Sequence, residues 1–288
     1  MRNKSNILLG YLFMVPYLAV FILFVVVPLV YGFALSFFRW EMLSPEPARF
    51  MGISNYIEAF SSDYFYKALW ATLRFVAMAV PLNVIVALAI ACGINAVPIK
   101  RQGLYRAAYF LPTILTISIA GILWTWFYNS EFGLFNALLA NVDVKVPWVT
   151  EPNYAMKSIV LMTLWWTMGG AMIILLAGLS NIPKQYYEAA SIDGANLWQR
   201  FRNITLPSLR PILLFVVIMN IIASFQVFGQ TYIVTGGGPE LSTRVMVHYI
   251  YDTAFGEYRM GYAAAMSWLL FVVIAAFSFI QFKAMETK

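Results

Sequence analysis

Residues 188–207 read EAASIDGANLWQRFRNITLP. The stretch carries Glu188, Asp193, Arg200 and Arg202, whereas the long runs on either side of it are almost uncharged. Its punctuation is that of two short helices. Pro183 suits a first helical turn, with Ser180 or Asn181 ahead of it as expected caps. Lys184 to Ile192 then reads as helix, and Asp193-Gly194 supplies a stop where glycine can take a positive φ. Asn196 followed by Gln199 three residues on resembles a capping box. Leu197, Phe201 and Ile204, with Trp198 alongside, form a helical apolar stripe. Pro207 and Pro211 are expected to end that second helix and to start the next apolar run. The spacing thus predicts a helix, a glycine hinge and a second helix within residues 180–211.

What surrounds the insert fixes its setting. Of 288 residues, 61% are hydrophobic and only 11% are charged, against about 25% charged in a soluble domain. Mean hydropathy is +0.74. No single soluble core of this size buries that much apolar surface, so the bilayer is the natural solvent. Six segments, near 8–36, 69–95, 106–128, 156–179, 212–234 and 262–282, are long enough to span roughly 30 Å of hydrocarbon. The expected fold class is therefore an all-α polytopic membrane protein with six transmembrane helices. The first segment follows MRNKSN and lacks the short apolar core and cleavage site of a signal peptide, so it is read as a retained helix, bent at Pro16 and Pro28. We expect residues 1–68 to form the first transmembrane helix and an outer loop. Residues 69–283 are expected to form a five-helix core that includes the loop at 180–211. One cysteine, Cys92, and one histidine, His248, exclude a disulfide framework and the usual multi-histidine zinc sites.

Charge sets the orientation. With the N-terminus inside, the inner segments hold 11 basic residues against three acidic ones, and the outer segments hold seven against ten. The excess of Lys and Arg on one side places both termini in the cytoplasm. The basic balance therefore points to topology and anionic membrane lipid. No aromatic-basic platform or groove-reading motif points to nucleic acid. Arg74, within the second segment, is expected to snorkel or to pair with an outer-loop acid.

Two readings of the polar insert stand open on physical grounds. It is either an amphipathic pair lying on the inner leaflet with Arg200 and Arg202 at the headgroups, or a docking element for a cytoplasmic partner. Polar side chains inside the spans also carry two readings, an internal path or helix-to-helix adhesion. Span four holds Thr163, Trp165, Trp166, Thr167 and Gly169-Gly170. Span five holds Asn220, Ser224, Gln226 and Gln230, with Asn220, Ser224, Val227 and Thr231 expected on one helical face.

The pattern Glu188-Ala189-Ala190, Asp193-Gly194-Ala195, Phe201, Ile204, Leu206-Pro207 and Pro211 resembles the EAA loop. That loop marks the inner-membrane permease subunits of binding-protein-dependent ABC importers. YRAAYFLPTIL (105–115), GILWTWFYNSEFGLFNALL (121–139) and TYIVTGGGP (231–239) resemble the carbohydrate-uptake branch, of the maltose and glycerol-phosphate permease type. Ala71-Thr72 departs from the Asn-Thr often found at this point. The resemblance implies the type I ABC importer permease fold and a permease that translocates a carbohydrate, an oligosaccharide by expectation. It implies that Glu188, Ala189, Ala190, Asp193, Gly194 and Ala195 couple to an ATPase. By their offset from the motif it places Thr163, Trp166, Thr167, Gly170, Asn220, Ser224 and Val227 along the substrate path. Trp166 would offer a plane for sugar C–H faces, and the hydroxyls and amides would meet sugar hydroxyls. The implied partners are a second homologous permease, two ATP-binding subunits and an extracytoplasmic solute-binding protein, in a bacterial or archaeal inner membrane. No G-x-x-x-x-G-K-[ST] loop occurs, so the chain is expected to be no enzyme and to bind no cofactor, with ATP and Mg²⁺ used by the partner. The alternative is an ATP-independent secondary carrier or channel for a polar solute, which should show inverted repeats or buried ionisable residues, whereas the sequence shows no convincing repeat and almost no charge within the spans.

Overall fold

The computed structural model describes residues 4–286. Arg2 and Lys288, counted above as inner charges, lie outside the described residues. The chain forms two compact units. One joins the N-terminal part up to Ser62 with Ile250–Val272, and the other joins Asp63–Tyr249 with the segment from Val273.

In the first unit, α1 (Lys4–Phe21) and α2 (Val27–Leu35) are linked by one π-helical turn, Ile22–Val26. Pro28 accounts for the turn. Its ring would strike the carbonyl four residues back in an α-helix, and the wider turn, closed by Val27 N–H to Ile22 O, takes up the conflict. The helical path therefore continues through Pro28. Strands β1 (Phe38–Arg39) and β2 (Arg49–Phe50) pair antiparallel, ahead of α3 (Ser54–Ser61). Buried Asn55 donates from Nδ2 to Ser36 O at 2.8 Å and Phe38 O at 3.0 Å, which ties α3 to the end of α2.

The second unit is helical throughout. It comprises α4 (Asp63–Ala96), α5 (Ile99–Ile114), α6 (Ile117–Phe127), α7 (Leu134–Leu139), α8 (Pro152–Ser180), α9 (Lys184–Ile192), α10 (Leu197–Arg200), α11 (Leu206–Phe225) and α12 (Gly229–Val234). Two further helices, α13 (Met246–Tyr251) and α14 (Met260–Glu286), contribute residues to both units. Helix α4 packs along α8 and α11, and α5 packs on α8. The last contact is close because Gly169 lacks a side chain: a Cβ there would lie 2.4 Å from Tyr109 O. Two apolar clusters follow one another along α4 and α8. The first includes Phe75, Ala79, Met156, Ile159 and Met162; the second includes Ala87, Ala91, Met172, Leu175 and Leu176. In sequence, Asn83 falls between the clusters on α4, and Thr163 and Thr167 fall between them on α8. Cys92 is half-buried against the second cluster, as expected of a packing residue.

Among the described residues five helices are long and apolar enough to cross a bilayer, and the pair α5 and α6, bent by 94°, makes six when counted as one broken span. The third span is therefore not the unbroken helix expected over 106–128. Leu115 and Thr116 are extended, and Thr116 caps α6 by accepting from Ile119 N–H. The expectation that Pro207 ends the loop's second helix is also corrected. A π turn at Phe201–Thr205, closed by Leu206 N–H to Phe201 O, absorbs Pro207 just as the earlier turn absorbs Pro28. A single helical run thus extends from Leu197 to Phe225. It stops there, short of the expected 234, because Gln226 and Val227 close back on Ala223 O and Ser224 O and Phe228 leaves helical geometry.

Candidate functional site

The insert forms the predicted pair of helices with closely defined ends. Helix α9 spans Lys184–Ile192, with Pro183 rather than Ser180 or Asn181 at its N-cap position and no side-chain cap. Ser180 instead bonds back to Leu176 O within α8. At the other end Gly194 has φ +75°. Gly194 N–H reaches Ser191 O and Ala195 N–H reaches Ala190 O, the paired bonds of a Schellman stop. The capping box is complete: Asn196 Oδ1 accepts from Gln199 N–H at 2.9 Å and Gln199 Oε1 accepts from Asn196 N–H at 2.7 Å. Arg200 donates to Ala195 O at 2.9 Å, and Tyr187 OH meets Thr205 Oγ1 at 2.9 Å. These bonds hold the hinge in one shape. Glu188, Ala189, Asp193 and Gly194 are exposed, while Ala190 and Ala195 are half-buried. Beside them Ile192 is 88%, Leu197 83% and Trp198 66% exposed. A locally satisfied loop thus presents large apolar side chains that stay exposed among the described residues.

A cavity of about 390 Å³ lies among α4, α6, α8, α11 and α12. Thr163, Trp166, Thr167, Asn220, Ser224 and Val227, six of the seven residues assigned to the path, line it. Gly170 does not, and a Cβ there would meet open space. Gln226 and Gln230 complete the polar wall. The helix breaks shape the cavity. Trp166 fastens the first: its Nε1 donates to Leu115 O at 3.0 Å and its carbonyl accepts from Thr113 Oγ1 at 3.1 Å. The second break ends α11 at Phe225 and brings residues 226–230 round the rim.

Phe75, Ile117, Phe228 and Gly229 also line the cavity and escaped the sequence reading, since no polarity marks them inside apolar runs. Asn83 escaped it too. Its Nδ2 donates to Thr167 Oγ1 at 2.8 Å from a buried position on α4. Thr231, expected on the same face as Asn220, is instead buried on α12, bonded to Phe228 O, with His248 Nδ1 3.5 Å away. That histidine is 3% exposed and packs against Phe228 and Tyr232, a structural role behind the second break. Thr72, of the Ala71-Thr72 pair, has one too: it accepts from Met246 N–H at 2.8 Å and so pins α13 to α4. Arg74 is half-buried and makes no ion pair among the described residues, and it does not line the cavity.

The first unit holds a separate cavity of about 280 Å³ whose charges are already paired. Arg39 bonds Glu41 and Arg259 bonds Glu58. Burial alone would lower the Arg259 pKa, but the hydrogen bond and charge of Glu58 outweigh it and hold the guanidinium above its ordinary value. Such a site stabilises its own strand and helix ends and offers no unmatched charge.

Comparison with known proteins agrees with this architecture. The family model described as "Binding-protein-dependent transport system inner membrane component" matches residues 84–287. The probable ABC transporter permease protein YesP of Bacillus subtilis is 37% identical, over 98% of this chain and 91% of that protein. The trehalose/maltose transport system permease protein MalF of Thermococcus litoralis is 35% identical, over 96% of this chain and 92% of its own length. A crystal structure of a bacterial ABC transporter that imports the acidic polysaccharide alginate contains a chain that superposes with a TM-score of 0.83. The match covers 100% of this chain and 99% of that one at 23% identity, which speaks to the fold.

Proposed function

The chain belongs to the family of binding-protein-dependent transport system inner membrane components, and we propose that it moves a carbohydrate through the cavity at α8 and α11 while its loop at 180–211 takes the drive from an ATPase. It is a membrane-spanning permease subunit of an ABC importer. The trehalose/maltose permease among its relatives and the uncharged hydroxyl and amide lining of the cavity support a sugar as cargo. ATP hydrolysis with Mg²⁺ belongs to two partner subunits, a second permease completes the pathway, and an external binding protein delivers the sugar. The excess of basic residues in the inner segments, 11 against seven in the outer ones, supports a cytoplasmic loop and cytoplasmic termini.

One observation carries the mechanism. The helical run Leu197–Phe225 is continuous, with exposed Leu197 and Trp198 at one end and cavity-lining Asn220 and Ser224 near the other. At 1.5 Å per residue, about 33 Å separate Trp198 from Asn220. A partner that grips Ile192, Leu197 and Trp198 and moves them therefore moves a wall of the cavity. Glu188, Ala189, Ala190, Asp193, Gly194 and Ala195 form the hinge that faces the same partner, small enough at the alanines and glycine for close approach. The test is affinity purification of the tagged chain in mild detergent, with ATPase activity assayed with and without loaded binding protein. Recovery of a second permease and an ATPase, with hydrolysis raised by loaded binding protein, is the expected result. Recovery of the chain alone, moving solute down its gradient, would sink the reading in favour of a carrier.

A further inference from the structure

The hydrogen-bonding atoms around the cavity are biased in kind. Thr163 Oγ1 donates to Ile159 O at 2.8 Å, and Thr167 Oγ1 donates to Thr163 O at 2.7 Å. Each hydroxyl has one proton, so both oxygens can only accept further bonds, and Thr167 Oγ1 already accepts from Asn83 Nδ2 at 2.8 Å. Trp166 commits its single N–H to Leu115 O, and Asn220 commits an amide hydrogen to Val216 O at 2.9 Å. Back-bonding of this sort is common in transmembrane helices. At this cavity it spends the donors of Thr163, Thr167 and Trp166 within the protein. The side chains that keep free donors there, Ser224, Gln226, Gln230 and Asn220 with its second amide hydrogen, are neutral, and no lining residue is ionisable.

We infer that this cavity selects an uncharged, hydroxyl-bearing sugar ring and discriminates against sugars that carry a carboxylate, sulfonate or phosphate. The inference rests on the carbohydrate reading above. A sugar hydroxyl can donate to Thr163 Oγ1 and can accept from Asn220, Ser224 and the glutamines, while Trp166 and Phe228 offer apolar surface to its C–H faces. An anionic oxygen brings only lone pairs. It would lose water, meet only neutral donors, and find no cation in exchange. Arg74, adjacent to Phe75 in sequence, is not part of the lining and so does not supply one.

The test is direct binding to the purified permease–ATPase complex in detergent, without the binding protein, so that only the transmembrane site is read. The probes are neutral disaccharides, maltose and cellobiose, each beside the uronide that differs by one C6 carboxylate. Saturation-transfer NMR with titration gives the relative affinities. The neutral member of each pair is expected to bind, with the uronide weaker by roughly tenfold or more. Ser224→Arg is expected to narrow or reverse that gap. Gln226→Arg, at an exposed position, repeats the test should the first variant misassemble. A uronide that binds wild-type complex as well as its neutral partner overturns the selectivity and leaves the sugar site standing. Binding of neither member of any pair removes the sugar site itself, and this inference with it.

Discussion

The loop at 180–211 and the cavity between α8 and α11 solve opposite problems. In the loop the backbone is satisfied locally, by a Schellman stop at Gly194 and a capping box at Asn196, and the apolar side chains of Ile192, Leu197 and Trp198 point away from the chain. In the cavity, apolar Ile117, Trp166 and Phe228 share the wall with polar side chains, and polar groups from distant segments meet: Leu115 O with Trp166, and Asn83 with Thr167. The first region is complete in shape and incomplete in contacts, as a surface made for another protein should be. The second is held by long-range bonds and retains unused acceptors, as a surface made for a small polar ligand should be. The difference teaches that substitutions in the two regions ought to separate assembly from binding.

The largest effect is expected where that separation should fail. Gly169→Val places a side chain against the α5 backbone and is expected to destabilise the α5–α8 contact by about 3 kcal/mol or more. Thermal unfolding in detergent, followed by size-exclusion chromatography, reads this as loss of folded protein. Ile192→Asp combined with Leu197→Asp comes next. Both side chains are exposed in this chain, so folding should be unchanged. Affinity for the ATPase should fall roughly thirtyfold, the equivalent of about 2 kcal/mol, by quantitative pull-down. Sugar binding to the remaining permease should persist, and its loss would break the comparison. Trp166→Phe leaves Leu115 O without its indole donor at the helix break, a loss of roughly 1–3 kcal/mol. It should weaken sugar binding by NMR titration while the ATPase is still recovered in full. Gly194→Ala meets open space, so only the positive φ penalises it, by about 1 kcal/mol. A modest drop in melting temperature with intact assembly is expected, and a wholesale loss of folding would mean that the hinge is packed more closely than the exposed surface indicates.

The two regions also differ in how far they were legible. Nearly everything about the loop is written locally: Asp193-Gly194, the Asn196 and Gln199 pair and Pro183 are signals that act over a few residues, and the bounds 184–192 follow from them. Pro207 misled because a proline read alone argues for a helix end, whereas a π turn just ahead of it lets the helix continue. The cavity was legible only as polar residues at plausible offsets. Six of those offsets meet the cavity; Thr231 does not, since periodicity along a helix assumes that the helix persists past Phe225, and Gly170, within unbroken α8, does not line it. Thr116, a good N-cap type in mid-run, was the available sign of the first break. Phe75 and Ile117 carried no sign at all, because their place in the wall is decided by which helices come together.

The insert admits two physical settings, on the inner leaflet or in a partner's surface, and one measurement separates them. A nitroxide is attached at Ile192→Cys in reconstituted chain, with Cys92→Ala removing the other thiol, and its mobility and oxygen contact are recorded with and without the purified ATPase subunit. The account predicts a mobile, water-exposed label that becomes immobile and shielded only when the ATPase is added. A label already immobile and oxygen-accessible in the chain alone, and unchanged by the ATPase, would place the loop in lipid and contradict the account.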